Sequence, residues 1–388
     1  MTDFIDTQTS LIDDPLIQDD GTGIASEPDE GEAETHTLIT QPFDPKLIRV
    51  EPQPMTIDLL VKRIRANEIN LAPEFQRKSD IWNETTKSRL IESLLIRLPL
   101  PAFYFDATDD EEWIVVDGLQ RLTTLKQFIV TRKLKLKNLE FLTEYEDKTY
   151  DELPRNFQRR IDEAQVTVYL IKEGSSAEVK FTLFKRINTG GLPLSPQEIR
   201  HAIYQGEATA LLKRLSASQE FKEATSNSIR NDRMADQELV LRFLAFTLTP
   251  PNKYAARDLD TFLNETMKSL NTKRDKERQD LEKRFLRSMK ASYSLFGKYA
   301  FRKRFRGQAT RPPISKALFE AWSVNLNDLS DEQLVVLEDR KDMLNEKYIT
   351  LFERDERFNN SVTFATAVTQ KIAYRFARIR ELIEETLS

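Results

Sequence analysis

The chain has 388 residues, with 58 Lys and Arg against 63 Asp and Glu, two His and no Cys. Without cysteine there is no disulfide framework, thiolate metal site or cysteine nucleophile, and two histidines nearly exclude a two-histidine metal centre or an HNH-type nuclease. No apolar run approaches the ~18 residues of a membrane span, and MTDFIDTQTS lacks the basic-then-apolar order of a secretory signal, so a reducing, cytoplasmic setting without a membrane partner is expected.

The net charge of −5 hides two opposed regions. Residues 1–45 hold twelve carboxylates and no Lys or Arg, so the rest carries 58 basic against 51 acidic groups, a net of +7. The acidic stretch has no helical or strand periodicity and too little apolar content to offset ordering entropy, so it is read as a disordered tail. It serves either as a solubiliser or as an autoinhibitory strip competing with nucleic acid.

Ordered structure is expected from near Ile48, with a short strand at Leu47–Val50. Thr56 then caps a helix bearing Leu59, Leu60, Ile64 and Ile69. Asn83 caps a second helix running to Leu98, ended by Pro99 and Pro101. AFYFDA (102–107) and EWIVV (112–116) read as strands joined by a turn at Thr108–Glu111. After Asp117-Gly118-Leu119-Gln120-Arg121 comes a helix with Leu122, Leu125, Phe128 and Ile129 apolar. Leu136–Phe141 reads as a short strand, Tyr150–Glu163 as a helix and Gln165–Ile171 as a strand. Ala177–Ile187 reads as a helix stopped by Gly190-Gly191. Ser195, Pro196 and Glu198 then form a capping box. From about residue 206 the pattern is helical, with helices expected at 207–217, 236–248, 258–296, 314–325, 331–343 and 363–385. The expected fold is therefore α+β, a mixed α/β domain over 46–205 followed by an all-helical domain over 206–388.

The strand–DGLQR–helix unit is the most informative stretch. Gly118 permits a tight turn and close backbone approach, and the following helix start offers free N–H groups and a positive dipole end. Arg121 is a fork suited to phosphate, Thr123 and Thr124 add hydroxyls, and Asp117 could hold a divalent ion or orient Arg121. The alternative is that Gly118 merely turns the chain while Asp117 and Arg121 pair with each other. Phe75-Gln76-Arg77 could stack on a base and pair with phosphate, and Asn188-Thr189-Gly190-Gly191, with Lys185 and Arg186 before it, could contact a nucleotide. A further basic stretch, Phe301-Arg302-Lys303-Arg304-Phe305-Arg306, has no acidic neighbour in sequence. It fits a DNA-contacting patch through Arg302, Lys303, Arg304 and Arg306. Asp109-Asp110-Glu111-Glu112 could serve a carboxylate-based nuclease, but reads more simply as a solvated turn.

Three stretches, Phe75-Gln76-Arg77, Asp117–Arg121 and Asn188–Gly191, occur in an order that closely resembles the GmrSD N-terminal domain family, also called domain of unknown function 262. The resemblance extends through Arg233–Glu238 to about Phe246. It implies a ParB/sulfiredoxin-like core in which a Gly-x-x-Arg turn handles nucleotide phosphates. By position Gly118 and Arg121 would grip phosphate, beside Asp117 and Gln120, with Asp117, Gln120 and Arg121 as the catalytic set and Asp117 on Mg²⁺. The family's usual DGQQR is DGLQR here, so Leu119 removes one amide. The implied function is a nucleoside triphosphate-binding or -hydrolysing component of restriction-type anti-phage defence. Implied partners are nucleotide, DNA, a nuclease or other defence subunit, and a second copy of the chain. The alternative is a non-catalytic DNA-binding or partner-recruiting module with a vestigial pocket.

Overall fold

The computed structural model describes residues 21–25, 49–71, 82–172, 176–187, 194–230, 233–254, 258–307 and 310–388. They fall into two compact units, Ile39–Ile203, and Met1–Leu38 with Tyr204–Ser388.

The first unit carries a mixed sheet in the order β1-β5-β3-β4-β2. The strands are β1 (Val50–Thr56), β2 (Ile69–Asn70), β3 (Phe103–Asp106), β4 (Trp113–Asp117) and β5 (Gln165–Ile171). β1 runs antiparallel to β5, β5 parallel to β3, β3 antiparallel to β4, and β4 parallel to β2. β1 carries Pro52 and Pro54, tolerated because it is an edge strand. Among the described residues, six α-helices accompany the sheet: α1 (Ile57–Arg65), α2 (Glu84–Leu95), α3 (Leu119–Leu125), α4 (Arg155–Asp162), α5 (Ala177–Ile187) and α6 (Pro196–Ile203). One large cluster joins Phe103, Phe105, Val115 and Val168 of the sheet to Leu60, Ile91, Leu94 and Leu122 of the first three helices. A smaller cluster joins Val116 and Ile171 to Phe181 and Phe184 of α5 and Ile199 of α6.

Local chemistry explains the boundaries. Thr56 Oγ1 accepts from Leu59 N–H at 3.3 Å, and Asn83 Oδ1 from Thr86 N–H at 2.8 Å. Ser195 Oγ accepts from Glu198 N–H at 3.1 Å, and the Glu198 carboxylate from Ser195 N–H at 2.5 Å. These are the expected caps. Ile69 belongs to β2 rather than to α1, and Leu59 is exposed. α2 ends at Leu95, three residues before Leu98, because Arg97 turns to a φ of 64°. Pro154 divides the expected helix at Tyr150–Glu163 into a 3₁₀ turn, Tyr150–Glu152, and α4.

The strand expected at Leu136–Phe141 is absent. Its backbone is claimed by side chains instead. Lys137 N–H donates to Ser88 Oγ at 2.9 Å, and the N–H groups of Glu140, Phe141 and Leu142 all donate to the Glu92 carboxylate, at 2.7–3.1 Å. Glu92 is buried. Burial pushes its carboxyl up, but the bonds from Glu140, Leu142 and Phe141 outweigh it and hold the group below the usual carboxylate value. The native form therefore favours the charged state. Glu92 contributes stability that is full above the ordinary glutamate range and lost as pH falls through its own lowered value. Glu92→Gln is expected to cost about 2 kcal/mol at pH 7 and to flatten the acid limb of stability below pH ~4.5, read by urea unfolding at stepped pH.

The second unit is helical: α7 (Glu207–Ser216), α8 (Gln219–Ala224), α9 (Ala235–Leu248), α10 (Leu259–Thr272), α11 (Asp275–Phe296), α12 (Lys316–Asn327), α13 (Asp331–Asp339), α14 (Lys341–Arg354), α15 (Glu356–Ser361) and α16 (Thr369–Leu387). The single helix expected over 258–296 breaks at Lys273, whose ψ of 149° is extended, and Arg274 is the N-cap of α11. Aromatic rings fill the interior. Phe221, Phe243 and Phe285 meet in one group, Phe246, Tyr254, Phe262 and Phe376 in another. Trp322 packs edge-on to Phe296 and Tyr348. The acidic tail is not wholly irregular: residues 21–25 are built into this unit, with Ile24 fully buried.

Candidate functional site

β4 ends at Asp117, Gly118 turns the chain with a φ of 102°, and α3 starts at Leu119. The strand–turn–helix expected here is present, but it is packed from within. A Cβ on Gly118 would stand 2.5 Å from Phe103 Cδ1 and 3.4 Å from Arg121 Nη2. Arg121 lies under its own turn, with 9% of its side chain exposed. Its Nη2 donates to Asp117 Oδ2 at 2.8 Å and to Ala102 O at 3.2 Å, its Nη1 to Pro101 O, and the guanidinium rests on the Phe103 ring at 4.6 Å. The expectation that this fork faces an incoming phosphate is corrected, because backbone carbonyls before β3 and the Asp117 carboxylate already occupy it.

Burial pushes the Asp117 carboxyl up, against the pull of the Arg121 charge and the Gly118 amide. Burial likewise lowers Arg121, against Asp117. Both shifts have the sign of lost hydration.

The two threonines are not available either. Thr124 is fully buried and its hydroxyl donates to Gln120 O at 2.8 Å. Thr123 is buried, and its Oγ1 has no hydrogen-bond partner among the described residues. Leu119, the departure from DGQQR, is buried in the large cluster. Gln120 is half-buried, and its Oε1 accepts from Trp82 N–H at 3.3 Å. Phe184, one turn before the end of α5, packs in the same cluster as Val116. Phe75, Gln76, Arg77, Asn188, Thr189, Gly190 and Gly191 themselves lie outside the described residues. Arg186 is exposed on the last turn of α5.

Other polar groups on this side of the sheet carried no motif. Tyr104 and Tyr169 are paired across β3 and β5 and stack at 4.8 Å. Lys180 of α5 reaches Asp106 at 2.8 Å, both largely buried. On α6, Gln197, Arg200 and His201 are buried, Arg200 lies 5.4 Å over the Phe181 ring, and Gln197 Nε2 has no partner among the described residues. A run of polar residues on the inner face of an amphipathic helix was the signal that could have found them.

The expected DNA patch is dismantled by tertiary contacts. Arg302 and Lys303 are buried. Arg302 donates to Pro312 O, to Thr225 O at 3.4 Å and to Ser228 Oγ at 2.6 Å, and burial, then the Arg311 charge, push it down to about 10. Lys303 donates to Thr363 Oγ1 at 2.6 Å. Arg304 bonds Asn345 at 2.9 Å and lies over the Tyr299 ring. Arg306 pairs with Glu346 and Glu353, carboxylates that α14 brings from forty residues away. Asp109–Glu112 are exposed in the β3–β4 turn, where Asp110 pairs with Lys172 at 3.2 Å. Among the described residues, no group of three or more His, Asp or Glu is placed to hold a metal ion, and no helix is long and apolar enough to cross a membrane.

Residues 58–205 match the family model described as GmrSD restriction endonuclease, N-terminal domain. No curated protein and no solved structure matches the chain.

Proposed function

We propose that this chain is a nucleotide-dependent component of a restriction-type DNA-defence system. The observation that carries the proposal is the match of residues 58–205 to the GmrSD restriction endonuclease N-terminal domain. In this reading the domain, on a ParB/sulfiredoxin-like core, binds a nucleoside triphosphate with Mg²⁺ and gates DNA recognition, or cleavage by a nuclease partner. In this reading Asp117, Gly118 and Arg121 position the turn, and Gln120, Arg186, Phe75–Arg77 and Asn188–Gly191 would receive the ligand. Mg²⁺, an ion commonly bound by one or two carboxylates together with substrate phosphates, would be held by Asp117 in exchange for its contact with Arg121. Bound there, it would neutralise phosphate charge, while the protein's residues orient the nucleotide.

One observation favours a second reading. Arg121 is already satisfied by its own chain and Leu119 by the core, which suits a DNA-binding or partner-recruiting module whose pocket no longer turns over nucleotide. Thermal melting of the full chain with each nucleoside triphosphate and Mg²⁺ separates the two. A ligand at a hundred times its Kd stabilises by about 2.7 kcal/mol and raises the midpoint by several degrees; the first reading expects this for at least one nucleotide, with phosphate release. No shift with any of them ends the nucleotide reading. DNA binding that weakens steeply with salt would then support the second.

A further inference from the structure

Within the acidic N-terminal sequence, residues 21–25 pair with the helical unit through an isolated bridge at Ile24. Ile314 bridges Arg302 on one side in the antiparallel sense and Ile24 on the other in the parallel sense. Ala25 N–H donates to Ile314 O at 2.7 Å, and Ile314 N–H to Gly23 O at 3.1 Å. Arg230 gives its backbone N–H to Thr22 O at 2.7 Å and its guanidinium to Gly21 O at 3.1 Å. Ile24 is fully buried. Gly23 has a φ of 87°, and a Cβ there would stand 1.8 Å from Ser228 O, so the passage admits glycine alone. Main-chain bonds thus hold a backbone that bends at Gly21 and Gly23, a slit selects glycine and the aliphatic residue after it is buried. This is the logic of strand addition to an exposed edge.

We propose that the edge at Ile314 is a peptide-docking slot for a segment containing glycine followed by an aliphatic residue, filled in cis by residues 21–25 and exchangeable for the same segment supplied in trans. Exchange follows from the balance of terms. One buried side chain and these four hydrogen bonds are comparable with the entropy of ordering five residues, so the segment opens locally while the helices stay folded. The slot survives emptying because its floor is held without the segment: Arg302 is bonded to Pro312, Thr225 and Ser228, and Ser315 N–H donates to Phe301 O at 3.0 Å. None of this depends on the nucleotide reading.

The test uses the full chain with Gly23→Val and a fluorescent peptide of residues 18–28, followed by anisotropy. The peptide is expected to bind the variant at least tenfold more tightly than the wild type, whose own segment competes as a tethered ligand, and a peptide carrying Gly23→Val is expected to bind neither. Equal binding to both chains, or none to a variant that keeps the wild-type circular dichroism, overturns the proposal. Should the variant fail to fold, hydrogen exchange of the wild type decides. Ala25 N–H is expected to exchange through a local opening, faster than the amides of α9 and α12. Exchange at the unprotected rate, or only through global unfolding, overturns it.

Discussion

Glu320→Ala is expected to destabilise the helical unit by about 3–5 kcal/mol, the cost of leaving buried charges without a partner. Glu320 is fully buried on α12 and accepts from Arg375 of α16 and, at 3.2 Å, from Arg242 of α9. The network continues through Glu238, which bonds Arg242 at 2.9 Å and Lys316 at 3.1 Å. Arg375 also donates to Thr366 O at 2.7 Å, holding the turn before α16. Removing the carboxylate leaves buried Arg375, among the described residues, with backbone carbonyls as its only acceptors, and Arg242 with Glu238. Glu320→Gln keeps an acceptor and is expected to cost roughly half as much. Urea unfolding followed by far-UV circular dichroism measures both; a loss below ~1 kcal/mol for the alanine variant would show that the arginines find other partners.

Arg121→Ala carries the second large effect, about 2–4 kcal/mol, and it separates structure from ligand chemistry. Without the guanidinium, the Asp117 carboxylate and the carbonyls of Pro101 and Ala102 lose their donors together. Arg121→Lys is expected to recover little, since a single ammonium cannot replace a planar fork serving three acceptors. Asp117→Asn should behave differently. Burial raises the Asp117 carboxyl above its ordinary value near 3.8, so the native state binds that proton more tightly than the unfolded chain. Relative to the asparagine variant, the wild type loses stability as pH rises from about 3.8 through the raised value. A wild-type advantage that grows over that window, in paired unfolding curves, would overturn the assignment.

Short-range chemistry was readable along the chain. β5 at Gln165–Ile171 and α5 at Ala177–Ile187 are where β-propensity and helical spacing place them. The caps at Thr56, Asn83 and Ser195 are formed by residues three positions apart. The turn at Gly118 needs only a glycine between a strand and a helix. What could not be read were partners distant in sequence. Leu136–Phe141 has strand composition, yet Glu92, nearly fifty residues earlier, takes its N–H groups.

The same holds for the site. Local order placed an arginine four residues after Asp117, on the first turn of a helix, and composition made 301–306 basic. Whether each guanidinium would meet water, a ligand or the protein itself was decided by packing. Arg121 is claimed by carbonyls twenty residues away, Arg306 by carboxylates from α14, and Arg302 by a turn more than seventy residues distant. A charge can be located from its neighbours in the chain. Its freedom depends on which acceptors the fold carries to it, because a buried guanidinium without partners costs more than the fold could bear.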